Sequence, residues 1–412
     1  MLESIQEAVL EAVEQRHDEA VRFLAELVKA PSDNPPGDCA GHGERTARLL
    51  EGLGFVVERH PVPAAEVRAR GMASLTNLIV RERFGDGPTV ALNAHGDAVP
   101  PGDAWSTDPY GAEIRSGVMF GRGVAVSKSD FATYAFALLA LKQLAARLDG
   151  TVELHFTYDE EAGGLLGPKW LLEQGLSKPD FAIAAGFSYG VVTAHNGCLH
   201  LEVEVQGRSA HAADPASGVD ALEAASAALA ALYEHRKAYA KVSSRVPGIG
   251  APTLVVGLIE GGINTNVVPD RISFRIDRRV IPEEDVDAVE GEISKIIKRA
   301  VAGVPGAKLS VRRLLWAASF APVAGAERLA GILAANAGRI MAEETPIHGV
   351  PLYTDARHYA AAGIPTVIYG AGPRTISEAN AHRADERLRL DDLRKATKVV
   401  ALSLLELLAP AS

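Results

Sequence analysis

Short apolar runs separated by helical patterns fill both ends of this chain and stop in its middle, a pattern that limits the folds open to it more than any other feature. SLTNLIV, TVALNAH, TVELHFTY and DFAIAAG follow one another up to about residue 190, with helical stretches at SDFATYAFALLALKQLAARL and around KWLLEQGL between them. Apolar runs without polar alternation predict strands buried on both faces, hence a parallel or mostly parallel sheet covered by helices. The pattern returns in PTVIYGAG and the closing helix LDDLRKATKVVALSLLELL. One α/β domain is therefore expected from residues 1–195 together with 315–412, and 412 residues suit two domains.

The middle alternates apolar and polar residues in LEVEVQG, as a half-exposed strand does. A helix (GVDALEAASAALAALYEHRKAY), two strands (TLVVGLIE, RISFRIDRRV), a helix (EEDVDAVEGEISKIIKRAV) and a strand (KLSVRRLL) follow. The order βαββαβ predicts an inserted ferredoxin-like domain over 196–314, suited to a lid or a dimer contact.

Ligands of open α/β sheets bind at the carboxyl ends of the strands. TVALNAH runs into His95-Gly96-Asp97, TVELHFTY into Asp159-Glu160-Glu161, and PTVIYGAG into a loop that carries His382 in NAHRADE. Singly these are weak signals, because a histidine after a strand is more often structural and adjacent acids favour helix N-termini. Together, each at a strand end, they favour a metal site.

The ordered set VKAPSDNPPGD, NAHGDAVPPGDAW, FGRGVAVSKSD, TYDEEAGG, GRSAHAADPASGVDA, INTNVVPDRISFRIDRRVIP and TDARHYAAAGIPTVIYGAG with NAHRADE resembles the M20 family of metallohydrolases, which includes acetylornithine deacetylase, succinyl-diaminopimelate desuccinylase and carboxypeptidase G2. The resemblance spans nearly the whole chain and implies a catalytic domain of the zinc-exopeptidase kind with two divalent metals sharing a water. By resemblance His95 binds one metal with Asp97 holding its ring, Glu161 and His382 bind the other, and Glu160 is the general base. His211 matches the histidine that reaches the partner's site in a dimer and stabilises the oxyanion, and Asn266 and Arg279 match substrate contacts of the lid.

The pattern breaks at two acids. In GRGVAVSKSD the family's metal-bridging Asp is Val126, and in AGFSYG the acid that completes the His95 metal is Phe187. Divalent ions about 3.5–4 Å apart need anions between and beside them, so one metal per chain is expected, zinc or manganese, with cobalt as a further candidate. Asp130 is a candidate replacement ligand or a helix cap, and Ser127, His195 and Asp355 are further candidates. The expected function is hydrolysis of an amide or related C–N bond in a small carboxylate-bearing substrate such as an N-acyl amino acid or dipeptide. The alternatives are cleavage of an atypical C–N bond such as that of an aryl amine, and a non-catalytic binding protein without metal.

A formal charge of −10 without a Lys/Arg cluster argues against a nucleic-acid partner, and a small molecule is the expected one. No stretch reaches the roughly 18 uncharged apolar residues of a membrane span, and the Glu-rich N-terminus predicts an amphipathic helix rather than a signal peptide. Two cysteines far apart form no disulfide framework. A cytoplasmic homodimer, paired through the lid, is expected.

Overall fold

The structure, a computed structural model, describes residues 2–142 and 148–410. The chain folds into two compact units, one of residues 1–193, 322–348 and 354–412, the other of residues 194–321 and 349–353. The sequence boundary at 315 falls inside the strand Lys308–Ala317, and the return to the first unit comes after it.

The large sheet has eight strands in the order Val57–Pro61, Thr76–Arg83, Thr151–Thr157, Thr89–His95, Phe181–Ala184, Thr366–Ile368, Val191–His195, Ile347–Val350. Thr89–His95 runs parallel to both neighbours, and Phe181–Ala184 runs parallel to Thr366–Ile368. The centre of the sheet is the mostly parallel part, and there Val90 to His95 are buried without a break. Burial on both faces is what the unbroken apolar run required.

One of the covering helices, Ser129–Lys142, buries every residue except Lys142. Phe131 stacks on Phe156 with ring centroids 4.0 Å apart. The segment Val124–Lys142 is long and apolar enough, by length and composition, to cross a membrane although it carries Lys128, Asp130 and Lys142, but 94% of it is buried inside the fold. It is a core helix. The predicted helix over 129–148 is seen as far as Lys142, and residues 143–147 lie outside the described residues.

In the second unit the strands Thr253–Gly261, Arg271–Val280, Gly197–Gln206 and Lys308–Ala317 lie side by side in that order, with every neighbour antiparallel. In chain order this is βαββαβ, with the first and third strands adjacent, the ferredoxin-like arrangement. Leu199, Leu201, Val203 and Val205 pack with Ala221, Ala224, Ala225 and Ala228 of one helix and Val289, Ile293 and Ile297 of the other. The opposite face carries Cys198, His200, Glu202 and Glu204, which gives the polar half of the alternation.

Candidate functional site

Two neighbouring parallel strands bring the first groups together. His95 ends Thr89–His95 directly opposite Thr157, the last residue of Thr151–Thr157, and the Gly96 N–H extends the ladder to the Thr157 carbonyl at 2.8 Å. The loops holding Asp97 and Glu160-Glu161 thus leave the sheet at the same edge. A side chain at position 96 would put its Cβ 2.4 Å from the Tyr158 ring, so the crossing requires glycine.

Asp97, fully buried, organises this edge. Asn34 Nδ2 donates to its Oδ2 at 2.9 Å, and the N–H groups of Glu160 and Glu161 donate to Oδ1 and Oδ2 at 3.2 and 3.1 Å. His95 Nδ1 stands 3.3 Å from Oδ1 and 3.0 Å from the Asp97 carbonyl oxygen. One carboxylate therefore fixes both the imidazole and the backbone of the acidic pair. The other ring nitrogen of His95, Nε2, faces Glu160 Oε2 at 4.0 Å.

His95, Glu160 and Glu161 each offer a ligand atom, all within 4.8 Å of one another. His382 joins them from its loop with a left-handed φ of 61°, its Nε2 3.2 Å from Glu161 Oε1. That contact is off hydrogen-bond geometry, and Glu161 Oε1 is buried without a hydrogen bond. Asp159 and Asp355 add buried charge: Asp159 Oδ2 accepts from the Leu166 N–H at 2.5 Å, whereas Asp159 Oδ1 and both Asp355 oxygens lack a hydrogen bond.

The electrostatics follow from crowding anions in a dry place. Burial pushes the Glu160 carboxyl well above the usual range; His95 pulls it down, and Glu161, Asp355 and Asp97 add to the rise. Burial lifts Asp355 to about 6, against Arg357 and His95. Burial disfavours a charged His95 ring, yet Asp97 and Glu160 outweigh it and hold its pKa well above the ordinary value. Glu161 raises that of His382. Orphaned buried carboxylate oxygens beside two imidazoles are a donor set that fits a divalent cation.

The two apolar positions lie on segments next to the strand that ends at His95. Phe187 follows Phe181–Ala184, the other neighbour of the His95 strand, and both Val126 and Phe187 are half-buried. The Val126 N–H donates to Glu386 Oε1 at 3.2 Å, as does that of Ala125 at 3.0 Å, while Glu386 Oε2 accepts from Gly123 N at 3.1 Å and Arg122 at 2.7 Å.

Asp130 is turned elsewhere. Its oxygens accept from Ala371 N at 2.6 Å and Gly186 N at 3.2 Å, and it is not one of the groups whose ligand atoms converge with His95, Glu160 and Glu161. Ser127 Oγ is used by the backbone of His95, donating to its carbonyl at 2.9 Å. His195, in the second unit, packs on Phe320. The second unit also holds His211 and Asn266, both exposed and on adjacent loops, and Arg279, whose guanidinium binds both oxygens of Asp277 at 3.0 and 3.1 Å. Sequence reasoning misses Asn34 and Glu386 as positioning groups, although the loops that carry them, SDNPPGD and NAHRADE, are both recognisable.

Fold and donor set together define a metallohydrolase of the α/β kind. The chain belongs to peptidase family M20/M25/M40, which it matches over residues 91–406. It is 28% identical over 397 residues to the succinyl-diaminopimelate desuccinylase of Phenylobacterium zucineum (strain HLK1), covering 93% of this chain and 97% of that one. It is 30% identical over 356 residues to the acetylornithine deacetylase of Myxococcus xanthus, covering 85% and 88%. Among solved structures, a dinuclear metal-binding M20 peptidase from Bacillus subtilis superposes with a TM-score of 0.69 at 17% identity, covering 97% of this chain and 99% of that one. The fold class and the hydrolase assignment expected from the sequence both stand.

Proposed function

We propose that this protein hydrolyses an amide or related C–N bond of a small carboxylate-bearing substrate, an N-acyl amino acid or a dipeptide, with one divalent metal. The observation that carries the reading is the convergence of His95, Glu160 and Glu161 over the buried Asp97, with His382 beside Glu161. The desuccinylase and deacetylase relatives support the substrate class.

Glu161 and His382 would hold the metal, zinc, manganese or cobalt, and Asp97 fixes the ring of His95, the further candidate ligand. A bound divalent ion lowers the pKa of water and polarises a carbonyl. Glu160 takes a proton from the attacking water and returns it to the leaving nitrogen; its burial and its place beside His95 suit a group that must hold a proton between the two steps. His211 stabilises the oxyanion in the partner's site of a homodimer, and Asn266 and Arg279 bind the substrate, Arg279 meeting a carboxylate with the guanidinium N–H groups that Asp277 does not use. One metal is the reading because Val126 and Phe187 remove two anions that a second ion would need. The free, buried cysteines Cys39 and Cys198 support a cytoplasmic location.

The same two apolar, half-buried residues favour a substrate with an aromatic or apolar group, including an aryl amine. They also supply the one ground for a non-catalytic binding protein. Turnover of N-acetyl, N-succinyl and N-aroyl amino acids, dipeptides and aryl amides, measured with and without added metal after chelation, tests the proposal. Metal-dependent turnover with aroyl substrates foremost is expected; no turnover of any of them with any metal would leave the binding protein.

A further inference from the structure

The open face of the four-stranded sheet carries a second convergence of metal-binding atoms, remote in sequence from the acidic cluster. Cys198 and His200 are two apart on Gly197–Gln206 and so point to the same face. On the adjacent strand Asp277 stands directly opposite His200, and Arg279 opposite Cys198. Cys198 Sγ lies 3.2 Å from His200 Nε2, His200 Nε2 3.0 Å from Asp277 Oδ2, and Cys198 Sγ 3.9 Å from that same oxygen.

A Cys-His-Asp set suggests a catalytic relay first, but a relay uses the two ring nitrogens of the histidine, one toward each partner. Here thiol and carboxylate both face Nε2, so the three groups do not form that relay. Their ligand atoms instead converge on one point, as they do around a cation. Tetrahedral zinc, with bonds of about 2.3 Å to sulfur and 2.0–2.2 Å to nitrogen and oxygen, separates its ligand atoms by about 3.4 to 3.6 Å, so the three distances need shift by only a few tenths of an ångström. From this geometry we infer that Cys198, His200 and Asp277 form a zinc site in the second unit, with one coordination position open to water or an anion.

Surroundings and charge agree with this. Cys198 is buried, whereas the His200 and Asp277 side chains are 36% and 33% exposed, so the ion has a path in. Arg279 grips both oxygens of Asp277 and fixes its orientation, the service that outer partners give to ligating carboxylates. Zinc binds cysteine as thiolate and histidine as neutral imidazole, so affinity is expected to fall as pH is lowered. A thiolate, an imidazole and a carboxylate select zinc over magnesium or calcium.

Cobalt(II) titration of the full-length protein is the test, because a thiolate ligand gives cobalt a near-ultraviolet charge-transfer band that the carboxylate and imidazole cluster cannot produce. The inference predicts a band that saturates at about one equivalent, is displaced by zinc, persists in Glu161→Gln and vanishes in Cys198→Ala. His200→Asn and Asp277→Asn, which keep the thiol should Cys198→Ala fail to fold, are expected to weaken cobalt binding at least about tenfold. No band at saturating cobalt, a band that survives Cys198→Ala, or unchanged affinity in both His200→Asn and Asp277→Asn would overturn it.

Discussion

At the scale of single residues, Asp97 and Glu160 divide the labour of the site. Asp97 accepts from Asn34 and from two backbone amides while facing His95, so its loss disturbs the imidazole and the acidic pair together. Asp97→Asn is expected to lower metal affinity by ~10–100-fold, read by competition with a chelating dye. Glu160→Gln should lower kcat by ~10²–10⁴-fold with bound metal unchanged, since in the proposed roles Glu161 and His382 hold the metal and Glu160 carries the proton. Asp130 gives a prediction away from the cluster. Burial pushes its pKa up to about 7, against the amides of Ala371 and Gly186. A folded-state pKa above the unfolded value of about 3.9 means that the stability it contributes is full in acid and is lost as pH rises toward 7. Compared with Asp130→Asn in urea melts, the wild type should therefore gain in relative stability as pH falls through that window; a difference independent of pH would contradict it.

At the scale of elements, the segment 121–128 is held by a group far away in sequence. Glu386 binds Arg122 and three backbone amides of this loop, and both charged side chains are 1% exposed. Arg122→Met leaves the Glu386 carboxylate buried without its cation and is expected to cost about 3–5 kcal/mol in denaturant unfolding. Such pairings mark the boundary of what can be read from sequence. His95, Asp97, Glu160 and Glu161 are legible because apolar runs locate strand ends, and parallel strands in register place those ends together. The βαββαβ order is legible because the alternation in LEVEVQG differs from the unbroken runs elsewhere. Asn34 and Glu386 are not legible as positioning groups, because they act across 63 and 264 residues and no local period encodes a contact of that span. The sequence suggests a ligand or a cap at Asp130, whereas its side chain bonds amides of two other segments, again a long-range choice.

At the scale of the whole molecule, the proposed dimer and the number of metals decide how the protein works. Thr253–Gly261 is an edge strand whose Val255, Leu258 and Ile259 are 51%, 60% and 54% exposed, an apolar edge of the sort that pairs with another chain. Leu258→Lys with Ile259→Lys is expected to shift the sedimenting mass from dimer to monomer and, through the partner's His211, to lower turnover with it. The proposed single metal at the first unit's site rests on reading the apolar Val126 and Phe187 as positions where a second ion would need anions. The direct measurement is an anomalous difference map at the zinc edge from crystals grown with zinc. One peak beside Glu161 and His382 is predicted; two peaks about 3.5–4 Å apart there, or none, would contradict the account.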